Sequence, residues 1–132
     1  MTGNLLPSAA ALTVALLKSD ADLSAITGGR VGTKLNQTLP AIRVQRIGGS
    51  PDGYDGTDSP SMQVECWAAD EGTADLLVRT LIAVLPTFRH RAVTGGQLVT
   101  YDLTSGPFWA PDDPSLSNSA RYIITVTLLT TS

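Results

Sequence analysis

The sequence predicts an α+β fold, with two helices packed on one face of a mainly antiparallel, mixed β-sheet and two long loops. Three observations predict it. Ala74, Leu77, Val78, Leu81, Ile82 and Leu85 fall at i, i+3, i+4, i+7, i+8 and i+11, the apolar stripe of a helix. Over residues 61–69, Met62, Val64, Cys66 and Ala68 alternate with Gln63, Glu65 and Trp67, the period of a strand. Residues 121–130 are rich in β-branched side chains and close the chain as a further strand. The order is helix, strands, helix, strands, with no internal repeat or linker, so residues 1–132 form one domain.

Taken in order, Pro7-Ser8 opens a helix over residues 9–17, in which only Thr13 is polar. Ser19-Asp20-Ala21-Asp22 is a capping pattern and starts a short second turn to Ile26, which Gly28-Gly29 stops. Residues 30–34 form a short strand. Residues 41–47 form a better one after Leu39-Pro40, with Ile42 and Val44 alternating against Arg43 and Gln45. Residues 48–60, GGSPDGYDGTDSP, read as a loop. After the strand 61–69, Asp70 caps the second main helix and Pro86 limits it. Gly95-Gly96 is a turn and residues 97–103 a strand; residues 106–120, with Pro107, Pro111 and Pro114, read as the second loop.

A chain of 132 residues is long enough to bury a core without staples. Its charged fraction is 16%, below the roughly 25% of an average soluble domain, and Ser and Thr together number 27, so the polar surface is largely hydroxyl. Both helices are apolar almost all round and must be covered on more than one side. Either they pack on each other and the sheet, or a neighbouring subunit covers them. Two structureless stretches of this length are uncommon in a compact domain and point to binding elements.

The net charge of −3 argues against a protein that binds nucleic acid by neutralising phosphates. The charge is sorted along the chain, +3 over residues 1–47, −7 over 48–75 and +1 over the remainder. Opposed blocks suit head-to-tail self-association, or neutralise each other inside one fold. Arg43, Arg46, Glu65, Arg89 and Arg91 are the candidate inter-subunit charges. With one cysteine and one histidine there is no internal disulfide and no Cys/His zinc site. The first residues lack the basic segment of a signal peptide, so a reducing, cytoplasmic compartment is expected.

Few motifs carry chemistry. Asp52, Asp55 and Asp58 are spaced three apart in a glycine-bearing loop with Tyr54, but lack the alternate ligands and closing glutamate of a calcium loop. There is no Gly-x-Ser-x-Gly elbow and no phosphate-binding glycine motif. His90 reads as a surface residue of a basic turn, and Cys66 as a small core residue. Phe108-Trp109, held between Pro107 and Pro111, are either interface anchors or a plug for the end of the core. No catalytic, cofactor or metal residue is assigned.

The arrangement as a whole resembles the tail terminator (tail completion) proteins of long, non-contractile-tailed bacteriophages. The residues that carry the resemblance span most of the chain. An apolar N-terminal helix runs into Leu23-Ser24-Ala25-Ile26-Thr27-Gly28-Gly29-Arg30-Val31. Leu39-Pro40-Ala41-Ile42-Arg43-Val44 is a proline-then-strand element. Val64-Glu65-Cys66-Trp67-Ala68 precedes an Ala/Leu helix over residues 72–85, and Arg121-Tyr122-Ile123-Ile124-Thr125-Val126 forms the last strand. These are soft patterns rather than an invariant motif.

The resemblance implies a virion protein that forms a hexameric ring on the head-proximal end of the tail tube. Such a ring stops tube growth, joins the head-side connector or stopper protein, and lets double-stranded DNA pass through its lumen without sequence-specific binding. It implies no catalysis, no cofactor and no membrane. The acidic loop would then line the lumen or clamp the tail tube protein. The alternatives are another neck or tube ring of the same virion, or a small enzyme or ligand-binding domain using the acidic loop 48–60.

Overall fold

In a computed structural model of the protein, residues 5–35, 38–51, 56–111 and 119–132 are described. Helix α1 spans Ala9–Ser19, α2 Ala21–Thr27 and α3 Glu71–Val84, the last running on into a 3₁₀ turn over Leu85–Phe88. Six strands, β1 Val31–Gly32, β2 Ala41–Pro51, β3 Thr57–Ala68, β4 Arg91–Val93, β5 Gly96–Trp109 and β6 Ala120–Thr131, form one sheet in the order β1-β2-β3-β6-β5-β4. Among the described residues β1 and β2 run parallel and the other pairs antiparallel. This is the expected α+β arrangement, with the short turn after α1 formed as a helix in its own right.

Local chemistry explains the helix boundaries. The Ser8 hydroxyl accepts from the Ala11 N–H at 3.2 Å and the Asp20 carboxylate from the Leu23 N–H at 2.9 Å, each satisfying a donor the helix leaves open. Gly28, at φ +63°, ends α2 in the left-handed region where glycine carries no Cβ penalty. At α3, Asp70 accepts from both the Thr73 N–H at 2.8 Å and the Thr73 hydroxyl at 3.1 Å. Asp70→Ala is expected to lower stability by about 1 kcal/mol, measured by urea denaturation. Pro86 lies within the 3₁₀ turn, where its missing N–H has no α-helical partner to lose.

The core lies between the helices and one face of the sheet. Leu12, Leu16 and Leu17 of α1 and Leu77, Val78 and Leu81 of α3 meet Val44, Met62, Val64, Cys66, Ile124, Val126 and Leu128, all buried. The helices are thus covered mainly within the chain, although Leu76 of α3 remains 46% exposed. Cys66 is a core residue. Burial, and then the adjacent Glu65 charge, push its thiol well above the ordinary value. It is expected to resist a thiol-specific reagent at pH 8 until the protein is unfolded; labelling of the native protein at the rate of a free thiol would contradict this burial.

Both long loops are corrected. Of residues 48–60, β2 claims 48–51 and β3 claims 57–60, paired as Gly49↔Pro60, Ser50↔Ser59 and Pro51↔Asp58. Gly49 stands at φ +84°, and a Cβ there would lie 2.1 Å from the Ser59 carbonyl oxygen, so turn-like composition here serves close strand approach. Of residues 106–120, β5 takes 106–109 and β6 takes Ala120. Phe108 and Trp109 are therefore strand residues, opposite Ile123 and Tyr122, rather than loop residues.

Candidate interaction surface

The face of the sheet away from the helices is organised by charge. Register places Ala41, Trp67 and Arg121 side by side in one row, and Arg43, Glu65, Ile123 and Phe108 in the next. Residues opposite one another in antiparallel strands point to the same face. The face that sequence alternation assigned to Gln63, Glu65 and Trp67 is thus the observed one. Glu65 and Trp67, however, are fully buried on it.

Glu65 holds two arginines. Arg43 forms a short hydrogen bond from Nε to Oε2 and another from Nη2 to Oε1 at 3.0 Å, while Arg121 Nη1 donates to Oε1 at 2.6 Å. The Arg121 guanidinium also lies 5.0 Å from the centre of the Trp67 ring, a cation–π contact. Its Nε donates to the Ala110 carbonyl at 2.7 Å, and the Ala110 N–H returns a bond to the Arg121 carbonyl at 3.0 Å. The Trp67 indole N–H is buried without a partner among the described residues. Arg121 therefore ties the buried carboxylate directly to the end of β5.

That end carries exposed apolar surface. Phe108 and Trp109 are each 45% exposed and Leu103 40%. Phe108 lies on the face of the ionic cluster. Trp109 lies on the other face, its ring 5.1 Å from that of Tyr122 and tilted by 58°. Tyr122 in turn donates weakly to Glu71 at 3.4 Å. Loss of water around the phenol, and then the charges of Glu71 and Asp75, raise its pKa. Phe108 and Trp109 are thus half-exposed rather than sealed inside the core.

The remaining sequence candidates divide. Arg46 grips Asp58 through Nη1 to Oδ2 at 2.5 Å and Nη2 to Oδ1 at 3.0 Å, and also donates to the Gly48 carbonyl. The hydrogen bond to Asp58 raises the Arg46 pKa. Asp58 is fully buried, so it is not presented as part of an acidic surface. Arg43, Arg46 and Glu65, expected as candidates for contact between subunits, are thus paired within one chain. Their sequence blocks neutralise each other internally here.

Arg89 stacks over Tyr101 at 4.8 Å. Arg91 lies over Phe88 at 5.5 Å and donates to the Ser19 hydroxyl at 3.2 Å. His90 between them occupies a left-handed turn at φ +63° and is exposed, as a surface residue of a basic turn should be. Asp52, Tyr54 and Asp55 lie outside the described residues. Among the described residues no group of three His, Cys, Asp or Glu side chains is placed to hold a metal ion.

No protein-family model matches the sequence, and no curated protein matches it. A solved structure does. One chain of the "Virion of native gene transfer agent (GTA) particle" aligns with TM-score 0.63 and 14% sequence identity, over 95% of this chain and 96% of that chain. The two chains share a fold from end to end.

Sequence reasoning missed two things at this surface. The triad of Arg43, Glu65 and Arg121 joins residues 22 and 56 positions apart in sequence. Strand alternation had put Glu65 and Trp67 on one face, but it carried no sign that the face would be buried. The second omission is Arg121 itself, visible beforehand only as a charge at the start of an otherwise apolar and hydroxyl-bearing strand.

Proposed function

We propose that this protein is a structural component of a phage-like virion, and that it forms a ring capping the head-proximal end of the tail tube. The observation that carries the virion reading is the end-to-end fold match with a chain of a gene transfer agent virion. The terminator role rests on the family resemblance of the strand and helix segments. In this reading the ring is hexameric, stops tube polymerisation, joins the tube to the head-side connector, and encloses passing DNA.

The edges of the sheet support a ring. Beyond Leu98, β5 pairs with β6 on one side, and its other side has no strand among the described residues. Beyond Arg43, the outer side of β2 is likewise unpartnered among the described residues. Two open edges on opposite sides of one sheet suit a head-to-tail interface, the kind that closes into rings. The register of β5 breaks between Leu103 and Phe108. Such irregularity discourages indefinite edge pairing and leaves the apolar side chains as the contact.

The test is mass measurement and electron microscopy of the purified protein, alone and with tail tubes. A discrete oligomer seated at one tube end is expected. A monomer that never binds tube ends would overturn the reading, and unlimited polymers of the pure protein would make it a tube subunit instead.

A further inference from the structure

Nine side chains of the protein are basic. Arg43 and Arg121 are held by Glu65, Arg46 by Asp58 and Arg79 by Asp75, while Arg89 and Arg91 lie over aromatic rings. The three that remain, Lys18, Arg30 and Lys34, have no carboxylate partner among the described residues, and all three line a single pocket of about 240 Å³. Lys18 sits in the last turn of α1, where a cation also favours the helix terminus. That placement does not account for the other two.

The pocket is built around Arg30. Its Nε donates to the Pro40 carbonyl at 2.9 Å, and its guanidinium lies so close over Gly28 that a Cβ there would be 2.9 Å from Nη1. The bare glycine thus leaves the space the guanidinium occupies, and Arg30 is held in place before anything binds. Three positive charges around a small concave volume favour one negatively charged head group.

We infer that this pocket receives a carboxylate side chain from the acidic segment, residues 48–75, of a second copy of the chain. The inference rests on the ring reading above. That segment holds seven acidic residues and no base. Glu65, Asp58 and Asp75 are paired internally, while Asp70 and Glu71 at the start of α3 are exposed. Surplus base at one place and surplus acid at another give a head-to-tail contact its complementarity. The net charge of −3 disfavours duplex DNA as the occupant.

The test uses the full chain and Lys18→Glu/Lys34→Glu, both exposed positions, with circular dichroism and a thermal melt to confirm folding. The double reversal is expected to raise the protein concentration needed for half-assembly by at least about tenfold. Added salt should weaken assembly of the unaltered protein more than that of the variant. Carbodiimide treatment of mixed ¹⁴N and ¹⁵N copies should join Lys18 or Lys34 to an acidic residue of 48–75 on another copy.

A ring that assembles unchanged in the variant and yields no such cross-link overturns this pocket assignment and leaves the ring reading standing. An unaltered protein that stays monomeric at every concentration overturns both. Binding of duplex DNA that the double reversal abolishes, without inter-copy cross-links, overturns the carboxylate in favour of phosphate.

Discussion

Glu65→Ala is expected to remove about 3 kcal/mol of stability, near the lower end of what breaking a buried ion pair costs. Glu65 is fully buried, and its loss removes the buried carboxylate to which both Arg43 and Arg121 donate. The effect stays near the lower end because the arginine side chains keep 18% and 12% of their surface in water. For a chain of this size that loss corresponds to roughly 10 °C in melting temperature.

The attraction inside such a cluster is largely offset by desolvation of its members. The triple variant Glu65→Leu/Arg43→Met/Arg121→Met is therefore expected to recover most of the loss. Urea denaturation of both variants measures this. A single variant within about 1 kcal/mol of the unaltered protein, typical of exposed pairs, would show that the cluster is effectively solvated.

The second large effect is on assembly. Phe108→Ala with Trp109→Ala is expected to raise the concentration for half-assembly by about 1,000-fold, because buried aromatic anchors contribute about 2 kcal/mol each to an interface. The fold should lose only about 1 kcal/mol, the worth of the Trp109–Tyr122 contact. Sedimentation across a concentration series reads the first quantity and a urea titration the second. If the double variant unfolds and the residual folded fraction still assembles normally, the aromatics serve the core and the interface lies elsewhere.

The two predictions are coupled through Arg121. It binds Glu65 on one side and the Ala110 carbonyl on the other, one residue past Trp109. Removing Glu65 therefore loosens the strand end that presents Phe108 and Trp109. A Glu65 variant that remains folded at low temperature should assemble less well than its residual stability alone would give.

Much of the architecture was legible from side-chain periodicity. The stripe through Ala74, Leu77, Val78 and Leu81 buries on α3, and Met62, Val64, Cys66 and Ala68 face the helices. The caps at Ser8, Asp20 and Asp70 could be read because a cap needs only one short polar side chain at one place. The strand arms 48–51, 57–60 and 106–109 could not. Their glycine, proline, serine and aspartate composition is that of turns, and what makes them strands is backbone pairing that no side-chain pattern records.

The sequence by itself determined the layers of this protein, because burial of an apolar stripe or an alternating strand depends on neighbours only a few residues away. It also determined that charge would be scarce and sorted into blocks. Only the tertiary structure decided where that charge goes. The adjacency of β2, β3 and β6 brings Arg43 and Arg121 onto one carboxylate, and the packing of α1, α2 and β1 leaves Lys18, Arg30 and Lys34 together around one pocket. An ion pair depends on register between distant strands, and register is a property of the assembled sheet rather than of any local run of residues.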